Sequence, residues 1–428
     1  MKLRFLDLFA GAGGLSEGFV QAGYEPVAHV EMDKAACYTL RTRAAFHELN
    51  KTSEGQQIYK SYLQGKITRE QLYNAVPHNI IDSVIEKAIG ADTIDEIFAR
   101  IDKLQNGKDI DLVLGGPPCQ AYSVVGRSRV GERIKDDSRN YHFQFYVLFL
   151  KRYRPKYFVF ENVTGLYSAK DKTGNSFYTQ VCNALKEAGY TLAEHVYRTE
   201  EYGLPQKRRR VIIIGTRNDI PAPLITIPQS DDCPKIREIF GDLKSIQAGE
   251  GIIRGNGRSQ GKKAIKWLTE NHISDNKYPV TFHQARPVNE HDKEIYRRVV
   301  DAWDSANMRF NYATDLPAEM QTHKNIRSFT DRFKVVDGDS NASQTVVAHI
   351  SKDGHYYIHF DEKQNRSLSP REAARLQTFP DNYFFESGTT KDGRAAAFRQ
   401  IGNAVPVMLA RKIAEHLLPH IKDFNNLG

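Results

Sequence analysis

Short apolar segments alternate with helical patterns over the first half of the chain, and this alternation restricts the fold more than any other feature. Helical patterns occupy Phe143–Tyr153 and Tyr178–Ala188. The alternation predicts an α/β fold with a parallel sheet and helices on both faces. Binding sites in such folds lie at the carboxyl ends of the strands, so residues that follow a strand are candidates for function. Five segments are typical of strands: Leu3–Leu8, Val27–Val30, Leu112–Leu114, Tyr157–Phe160 and Val211–Ile214.

Two stretches depart from this alternation. Residues Glu48–Lys108 are polar, mixed in charge and compatible with helices, and they predict an insertion on the sheet domain with no assigned chemistry. Residues 218–344 are rich in Gly, Asn, Ser, Lys and Arg and lack clean periodicity, which predicts an irregular second domain.

Regular patterns return after residue 344. Thr345–Ile350 and Tyr356–Phe360 predict a hairpin that turns at Asp353-Gly354. Ser369–Thr378 and Ala404–Leu418 predict helices.

Composition agrees with a folded protein and excludes several classes. The 428 residues are 40% hydrophobic and 26% charged, as in ordinary globular domains. No apolar run approaches the ~20 residues of a membrane span, and Asp7 interrupts the first apolar stretch, so we expect a cytoplasmic protein without a signal peptide. The four cysteines form no CxxC pair, so neither a metal site nor a disulfide framework is expected. The formal net charge of +8 is compatible with a polyanionic partner such as nucleic acid.

The first candidate site is the turn from Asp7 to Gly14, with the sequence DLFAGAGG. Its glycines allow a ligand close to the backbone, and the following helix offers free N–H groups. Glu31 would end the second strand, where a carboxylate can bind both hydroxyls of a ribose. The alternative is an ordinary glycine turn with an exposed glutamate.

A second candidate is the loop GGPPCQAYS, which contains Cys119 and follows the strand Leu112–Leu114. A lone cysteine is most often a small buried hydrophobic residue. This one lies between two prolines and polar residues on a loop, as a nucleophilic thiol requires.

Charged residues next to two further strands complete the candidate site. Glu161 follows the apolar segment Tyr157–Phe160, where it either caps a turn or acts as a general acid beside Cys119. The cluster QKRRR precedes Val211, and alternation in an extended segment directs Arg208 and Arg210 to one side. Such a cluster is otherwise a solvated or phosphate-binding face.

These elements, in this order, closely resemble the DNA cytosine-C5 methyltransferases, of the compact kind found in bacterial restriction–modification systems. The resemblance extends to SPREAARLQTFPD at Ser369–Asp381 and to RQIGNAVP at Arg399–Pro406, and so spans nearly the whole chain. It implies a Rossmann-like, S-adenosylmethionine-dependent methyltransferase domain formed by residues 1–217 and 345–428. Residues 218–344 would be the smaller, irregular target-recognition domain, and 48–108 an insertion.

The cofactor implied by the resemblance is S-adenosylmethionine. Phe9 would stack on the adenine, Glu31 would hold the ribose, and Met32 would cover the other adenine face. Asp92, with Asp109 as a rival, would bind the adenine amino group. The other implied cofactor contacts are Ala10, Gly11, Gly13, Gly14, Leu15, Pro118, His142, Asn403 and Ala404, of which His142 replaces a commonly apolar residue.

The resemblance also implies the reaction. Cys119 would add to C6 of cytosine, Glu161 would hold a proton against N3, and Arg208 would bind the base carbonyl or orient Glu161, with Arg210 on the same side. The base must leave the stack for this chemistry. The loop Val124–Asn140 would close on it, with DNA contacts from Gln120, Ser123, Arg127, Arg129 and Arg133.

The expected partner is double-stranded DNA, methylated within a specific short sequence by a monomer associated with the bacterial nucleoid. A cognate restriction endonuclease would act on the same site without forming a direct complex. A tRNA cytosine-C5 methyltransferase would share the Cys and Glu motifs, although Ser123 and the long second domain favour DNA. The fold would also suit a catalytically silent DNA-binding homologue, and the glycine turn alone would suit a nicotinamide-dependent oxidoreductase.

Overall fold

A seven-stranded sheet forms the centre of the molecule. The computed structural model describes residues 2–118, 141–221, 226–323, 326–389 and 393–426. The strands of the sheet are β1 (Arg4–Leu8), β2 (Glu25–Glu31), β3 (Val84–Glu86), β4 (Leu112–Gly115), β5 (Tyr157–Asn162), β6 (Tyr190–Arg198) and β8 (Arg209–Arg217). They lie in the order β3-β2-β1-β4-β5-β8-β6.

The five neighbouring strands β3, β2, β1, β4 and β5 are parallel as predicted. The prediction of a fully parallel sheet is wrong at the other edge, where β8 runs antiparallel to both β5 and β6. The connection from β6 to β8 contains only a short 3-10 turn, Thr199–Glu201, and the two-residue strand β7 (Gln206–Lys207). A connection that short joins antiparallel strands, whereas a parallel pair needs a longer crossover.

Helices cover both faces of the sheet. Along the described residues the α-helices are α1 (Gly14–Gln21), α2 (Lys34–Leu49), α3 (Ser53–Leu63), α4 (Arg69–Asn74), α5 (His78–Asp82), α6 (Ile94–Gln105), α7 (His142–Tyr153), α8 (Phe177–Glu187), α9 (Ile236–Ile239), α10 (Lys266–Glu270), α11 (Glu290–Ala306), α12 (Ile326–Phe329), α13 (Pro370–Leu376), α14 (Arg394–Asn403) and α15 (Val407–Asn426). The predicted helices at Phe143–Tyr153, Tyr178–Ala188 and Ser369–Thr378 are confirmed as α7, α8 and α13, and the one at Ala404–Leu418 is confirmed with a later start as α15.

Alternating side chains of the central strands supply two hydrophobic cores. Phe5 packs in the core on the face of α1 and α15, whereas Leu6 packs in the core on the face of α6, α7 and α8. The same alternation separates Ile212 from Ile213 in β8. Strands buried on both faces are continuously apolar, which is why these segments are recognisable in the sequence.

Residues 48–108 are more than an added insertion, since they supply parts of both cores. Val84 of β3 pairs with His29 of β2 and extends the sheet. Tyr59 and Tyr62 of α3 are buried in the core that contains α15, and Ile97 of α6 lies in the opposite core.

The region 218–344 contributes to two different cores. Side chains between 227 and 282, such as Ile236 and Phe282, pack in the same core as α15, and the short strands β9 (Gly251–Ile252) and β10 (His283–Gln284) pair antiparallel there. Residues 288–335 instead surround a separate core with α11 at its centre, which we call the second lobe. Its buried side chains are Ile295, Tyr296, Val299, Val300, Phe310, Tyr312, Leu316, Phe333 and Val335, joined by Ile358.

The hairpin predicted at Thr345–Ile350 and Tyr356–Phe360 is wrong. Ala348–Ser351 and His355–Tyr357 are 3-10 turns, and β13 (Ile358–His359) pairs in parallel with β11 (Val335–Val336). The guanidinium of Arg286 donates hydrogen bonds of 2.5–3.0 Å to the carbonyls of Ile350, Ser351 and Lys352. Among the described residues, these carbonyls therefore bond a side chain in a tight turn instead of pairing with a strand.

In the part of the chain that the structure describes, no helix is long and apolar enough to cross a membrane.

Candidate active site

A cavity of about 270 Å³ opens at the carboxyl ends of β1 and β2, where the sequence predicts a site. It combines the glycine turn with residues from the far end of the chain. Its lining is formed by Asp7, Phe9, Ala10, Gly11, Ala12, Gly14, Leu15, Glu31, Asp33, Ala35, Ala36, Gly116, Glu161, Ala396, Arg399, Gln400, Asn403, Ala404 and Val405.

Backbone geometry explains the glycines of the turn. Gly13 precedes α1 with φ of +78°, a left-handed conformation in which a side chain is strained. A Cβ at Gly14 would lie 2.3 Å from the carbonyl oxygen of Val405, so α1 can approach the C-terminal segment only without a side chain there. Phe9 also has a positive φ, of +55°, and its ring packs edge-to-face against His142 with centroids 5.8 Å apart.

The carboxylate of Glu31 organises this turn. It accepts hydrogen bonds from the backbone N–H groups of Gly11 (2.8 Å), Met32 (2.8 Å) and Asp33 (2.7 Å). Burial raises the pKa of Glu31 despite these bonds. Glu31, the residue predicted to bind the ribose, therefore lines the cavity, and backbone N–H groups already fix its carboxylate in position.

Asp7, which the sequence placed at the start of the candidate turn without a role of its own, lines the cavity. Its side chain is buried, and its Oδ2 accepts no hydrogen bond from any residue that the structure describes. Burial raises the pKa of Asp7 well above its usual range, and the nearby Glu31 carboxylate raises it further. The position of Asp7 inside β1, next to the glycine turn, was the available signal.

Glu161 meets two of the other motifs at the edge of the cavity. Its Oε1 lies 2.6 Å from Nε of Arg210, with the geometry of an ion pair rather than of a linear hydrogen bond. A Cβ at Gly116 would lie only 2.5 Å from Oε2 of Glu161. The next residue, Asn162, donates a long hydrogen bond of 3.5 Å to the carbonyl of Pro117. The ends of β4 and β5 and the start of β8 therefore meet around one carboxylate.

Arg208, which would bind the base carbonyl or orient Glu161, has a guanidinium that points into the protein. It donates to the carbonyls of Val346 (2.7 Å) and Gly402 (3.1 Å) and is fully buried. Burial lowers the pKa of Arg208 well below its usual range, and the nearby Arg210 lowers it further. Arg210 therefore pairs with Glu161, whereas Arg208 bonds the backbone of neighbouring segments.

The structure brings only part of the predicted cofactor set to the cavity. Asp92 is exposed just before α6 and is not among the lining residues, and its rival Asp109 is exposed as well. Met32 is 69% exposed outside the lining. Eight predicted residues do line the cavity: Phe9, Ala10, Gly11, Gly14, Leu15, Glu31, Asn403 and Ala404.

Some of the remaining predicted residues belong to the part of the chain that the structure describes, and the others lie outside it. Gly13 lies between the lining residues Ala12 and Gly14, Pro118 follows the lining residue Gly116 by two positions, and His142 packs against the lining residue Phe9. Six predicted residues lie outside the described residues: Cys119, Gln120, Ser123, Arg127, Arg129 and Arg133.

The geometry agrees with comparisons with known proteins. A family model described as "C-5 cytosine-specific DNA methylase" matches residues 3–77 and 84–418. The type II methyltransferase M.Bpa9945I of Bacillus paralicheniformis is 36% identical over 444 residues, which cover 96% of this chain and 97% of the relative. The type II methyltransferase M.DdeI of Desulfomicrobium norvegicum is 26% identical over a match that covers 99% of this chain and 90% of the relative.

Solved structures show the same fold at low sequence identity. A crystal structure described as a DNA modification methyltransferase encoded within an E. coli prophage superposes with a TM-score of 0.64 at 20% identity, covering 98% of this chain and all of that one. The S. pombe Dnmt2 methyltransferase gives a TM-score of 0.51 at 17% identity, covering 99% of this chain and all of that one. The fold is that of S-adenosylmethionine-dependent methyltransferases, and the chain belongs to the C-5 cytosine-specific DNA methylase family.

Proposed function

We propose that this enzyme methylates C5 of one cytosine within a short specific sequence of double-stranded DNA, by covalent addition of Cys119 to C6. In the cell it would act on the chromosome, as a monomer, and protect it from a restriction endonuclease that cuts the same sequence. The observation that carries this proposal is the meeting of the glycine-turn cavity with the Glu161–Arg210 ion pair. The names of the relatives as type II methyltransferases support the protective role.

The cavity residues fit S-adenosylmethionine, which supplies an electrophilic methyl group on a positively charged sulfur. The buried Asp7 and the partly buried Glu31 make the cavity suitable for a ligand with a positive charge, because the Glu31 carboxylate raises the cost of ionising Asp7 and a cation would offset it. Glu31 would accept the ribose hydroxyls, as carboxylates at the end of a second strand do. Phe9 would pack on the adenine, and Asp7 would accept from the ammonium of the methionine part.

Cytosine C5 is too weak a nucleophile to take a methyl group without activation. Addition of the Cys119 thiolate to C6 forms a carbon–sulfur bond and moves electron density to C5 and N3. Glu161 would hold a proton at N3 as negative charge develops there, and Arg210 would keep the Glu161 carboxyl in position. After methyl transfer, water takes the C5 proton and the thiolate leaves C6, which regenerates the enzyme.

Neither C5 nor C6 is accessible inside a stacked duplex, so the target base must be flipped into the site at a cost of a few kcal/mol. The residues proposed to assist this step follow Cys119 directly in the sequence. Gln120 and Ser123 would contact the base, and Arg127, Arg129 and Arg133 would contact phosphates.

DNA that carries 5-fluorocytosine at the target position tests the covalent step. Fluorine replaces the proton that must leave C5, so the thiol cannot be eliminated and the native enzyme should stay attached to the DNA. Denaturing electrophoresis should show this complex with native protein and with the control Cys182→Ser, whose half-buried thiol lies away from the cavity. Cys119→Ser should form none, and a complex with that variant would overturn the assignment.

Replacement of Gly116 should displace Glu161 while every catalytic side chain keeps its chemical identity. The new methyl group of Gly116→Ala would displace the Glu161 carboxylate and break its ion pair with Arg210. The methylation rate should fall about 10²–10⁴-fold, the usual contribution of a general acid or base, and match that of Glu161→Gln. Gly90→Ala, whose Cβ meets nothing closer than 4.0 Å, is the control and should retain the native rate. A native rate for Gly116→Ala would show that Glu161 needs no fixed position.

Cofactor affinity should rise with pH because of Asp7. Its raised pKa keeps Asp7 protonated in the free protein above the ordinary value of 3.8, while a bound cation favours the ionised form. Binding therefore releases a proton, and affinity increases as the pH rises through the titration of Asp7 in the free protein. Calorimetry should show weaker binding and a flatter pH profile for Asp7→Asn. If the native protein and Asp7→Asn showed parallel pH profiles of affinity, Asp7 would have no contact with the cofactor.

A further inference from the structure

A second cavity, of about 930 Å³, lies between the second lobe and the segment 337–357. Its wall carries four basic side chains, Lys207, Arg309, Arg332 and Lys334, against two acidic ones, Asp337 and Asp353. This excess of positive charge suits a polyanion.

Apolar side chains at this cavity are unusually exposed. Met308 is 45% exposed and Val347 is 39% exposed, and both belong to the lining. Exposed apolar residues bordered by charged ones mark surfaces that bind a partner. The cavity therefore combines the charge and the apolar contacts that a DNA groove requires.

The same chain segment connects this cavity to the active site. Lys207 lines the cavity and lies three residues before Arg210, which contacts Glu161. Its strand β7 pairs in parallel with β12 (Ser343–Gln344), and the hydroxyl of Thr345 donates to the carbonyl of Lys207. A duplex whose target base enters the active site would run along this wall.

Inside the cavity, Arg332, His349 and Asp353 form a partly exposed cluster. The Arg332 guanidinium pairs with the Asp353 carboxylate and donates to Nε2 of His349 at 2.8 Å. Burial lowers the pKa of His349, so the imidazole is neutral and can accept this bond. Arg332 Nε and Asp353 Oδ1 are shielded from solvent and have no hydrogen-bond partner among the residues that the structure describes, but the two side chains as a whole are 28% and 23% exposed. Their exposed parts place a guanidinium and a carboxylate side by side in the cavity wall.

We infer that Arg332 and Asp353 recognise one G·C base pair of the target sequence through the major groove. This inference rests on the proposed function. Guanine presents the acceptors O6 and N7 there and cytosine presents its N4 amino donor, which match an arginine and a carboxylate in adjacent positions. Other base pairs place at least one donor or acceptor, or the thymine methyl, against the wrong partner.

Arg309 provides a contrast within the same cavity. Its side chain is 63% exposed at the rim and pairs with Asp331 through a 2.8 Å contact. An exposed rim arginine suits a phosphate, which contributes affinity without sequence information. Arg309 and Arg332 should therefore respond differently to substitution.

Methylation of a plasmid library of randomised short sequences, followed by conversion sequencing, tests the inference. The native protein should methylate one recurring motif that contains a G·C pair outside the target cytosine. Arg332→Ala should accept other base pairs at that single position, with discrimination reduced roughly 10- to 100-fold. Asp353→Asn, which preserves size and shape, should relax the same position.

Two control variants separate recognition from general loss of binding. Arg309→Ala should weaken methylation equally on all sequences, reduce its salt dependence and leave the motif unchanged. Arg297→Ala, an exposed arginine of α11 outside the cavity lining, should behave as native protein. Thermal melting and S-adenosylmethionine binding report whether each variant is folded. If Arg332→Ala does not fold, the motif of Asp353→Asn decides the test.

The outcomes distinguish the two levels of the proposal. An unchanged motif in folded Arg332→Ala and Asp353→Asn overturns this inference while the proposed function stands. A native motif without a second G·C pair also overturns it. Absence of any DNA methylation by the native protein overturns the proposed function itself.

Discussion

The close packing of the C-terminal segment against the glycine turn is the constraint on which the active site depends. A Cβ at Gly14 would meet the carbonyl of Val405, and one at Gly18 would lie 2.5 Å from Ala410 Cβ. The hydroxyl of Tyr383 donates a 2.5 Å hydrogen bond to the carbonyl of Ala12. Residues almost 400 positions apart thus form one cavity wall, so the cavity exists only when both ends of the chain have folded together.

Buried charges extend this packing to the region that carries the second lobe. Arg375 of α13 is fully buried and pairs with Asp242 at 2.5 Å and with Asp381 at 2.7 Å. Arg258 adds a 2.7 Å contact to Asp242. Removing one partner from such a buried network costs about 3–5 kcal/mol, because the other charge stays uncompensated. Asp242 and Arg258 therefore join the region 226–286 to the catalytic core through buried ion pairs.

A second set of hydrogen bonds joins this core to the catalytic strand. The side chain of Gln206 donates to the carbonyl of Leu376 and to Oε1 of Gln377, at 2.8 and 2.7 Å. Two residues later, Arg208 bonds the carbonyls of Val346 and Gly402. The arginine cluster thus has divided tasks, since Arg208 fixes the backbone and Arg210 faces Glu161.

The sequence predicted features whose cause is local, and it failed where distant contacts decide. Continuous apolar runs identify β4 and β8 because both faces are buried, but no local signal sets the direction of β8. The edge strand β6 escaped prediction because most of its side chains are exposed and lack an apolar alternation. The sequence pattern places Arg208 and Arg210 on the same side of the strand. Arg208 is buried because the later segments that contain Val346 and Gly402 pack over it and accept its hydrogen bonds. Asp92 remains a prediction, since the preceding chain folds into the sheet and leaves that residue exposed just before α6.

Methyl transfer to DNA is the most direct test of the proposed chemistry. The purified protein should be incubated with unmethylated plasmid and S-adenosylmethionine carrying a labelled methyl group, and the DNA digested to nucleosides for mass spectrometry. Label in 5-methyldeoxycytidine, confined to one recurring sequence, is the result that the active-site geometry predicts. Label in adenine or on the cytosine amino group, or transfer to tRNA alone, would contradict it.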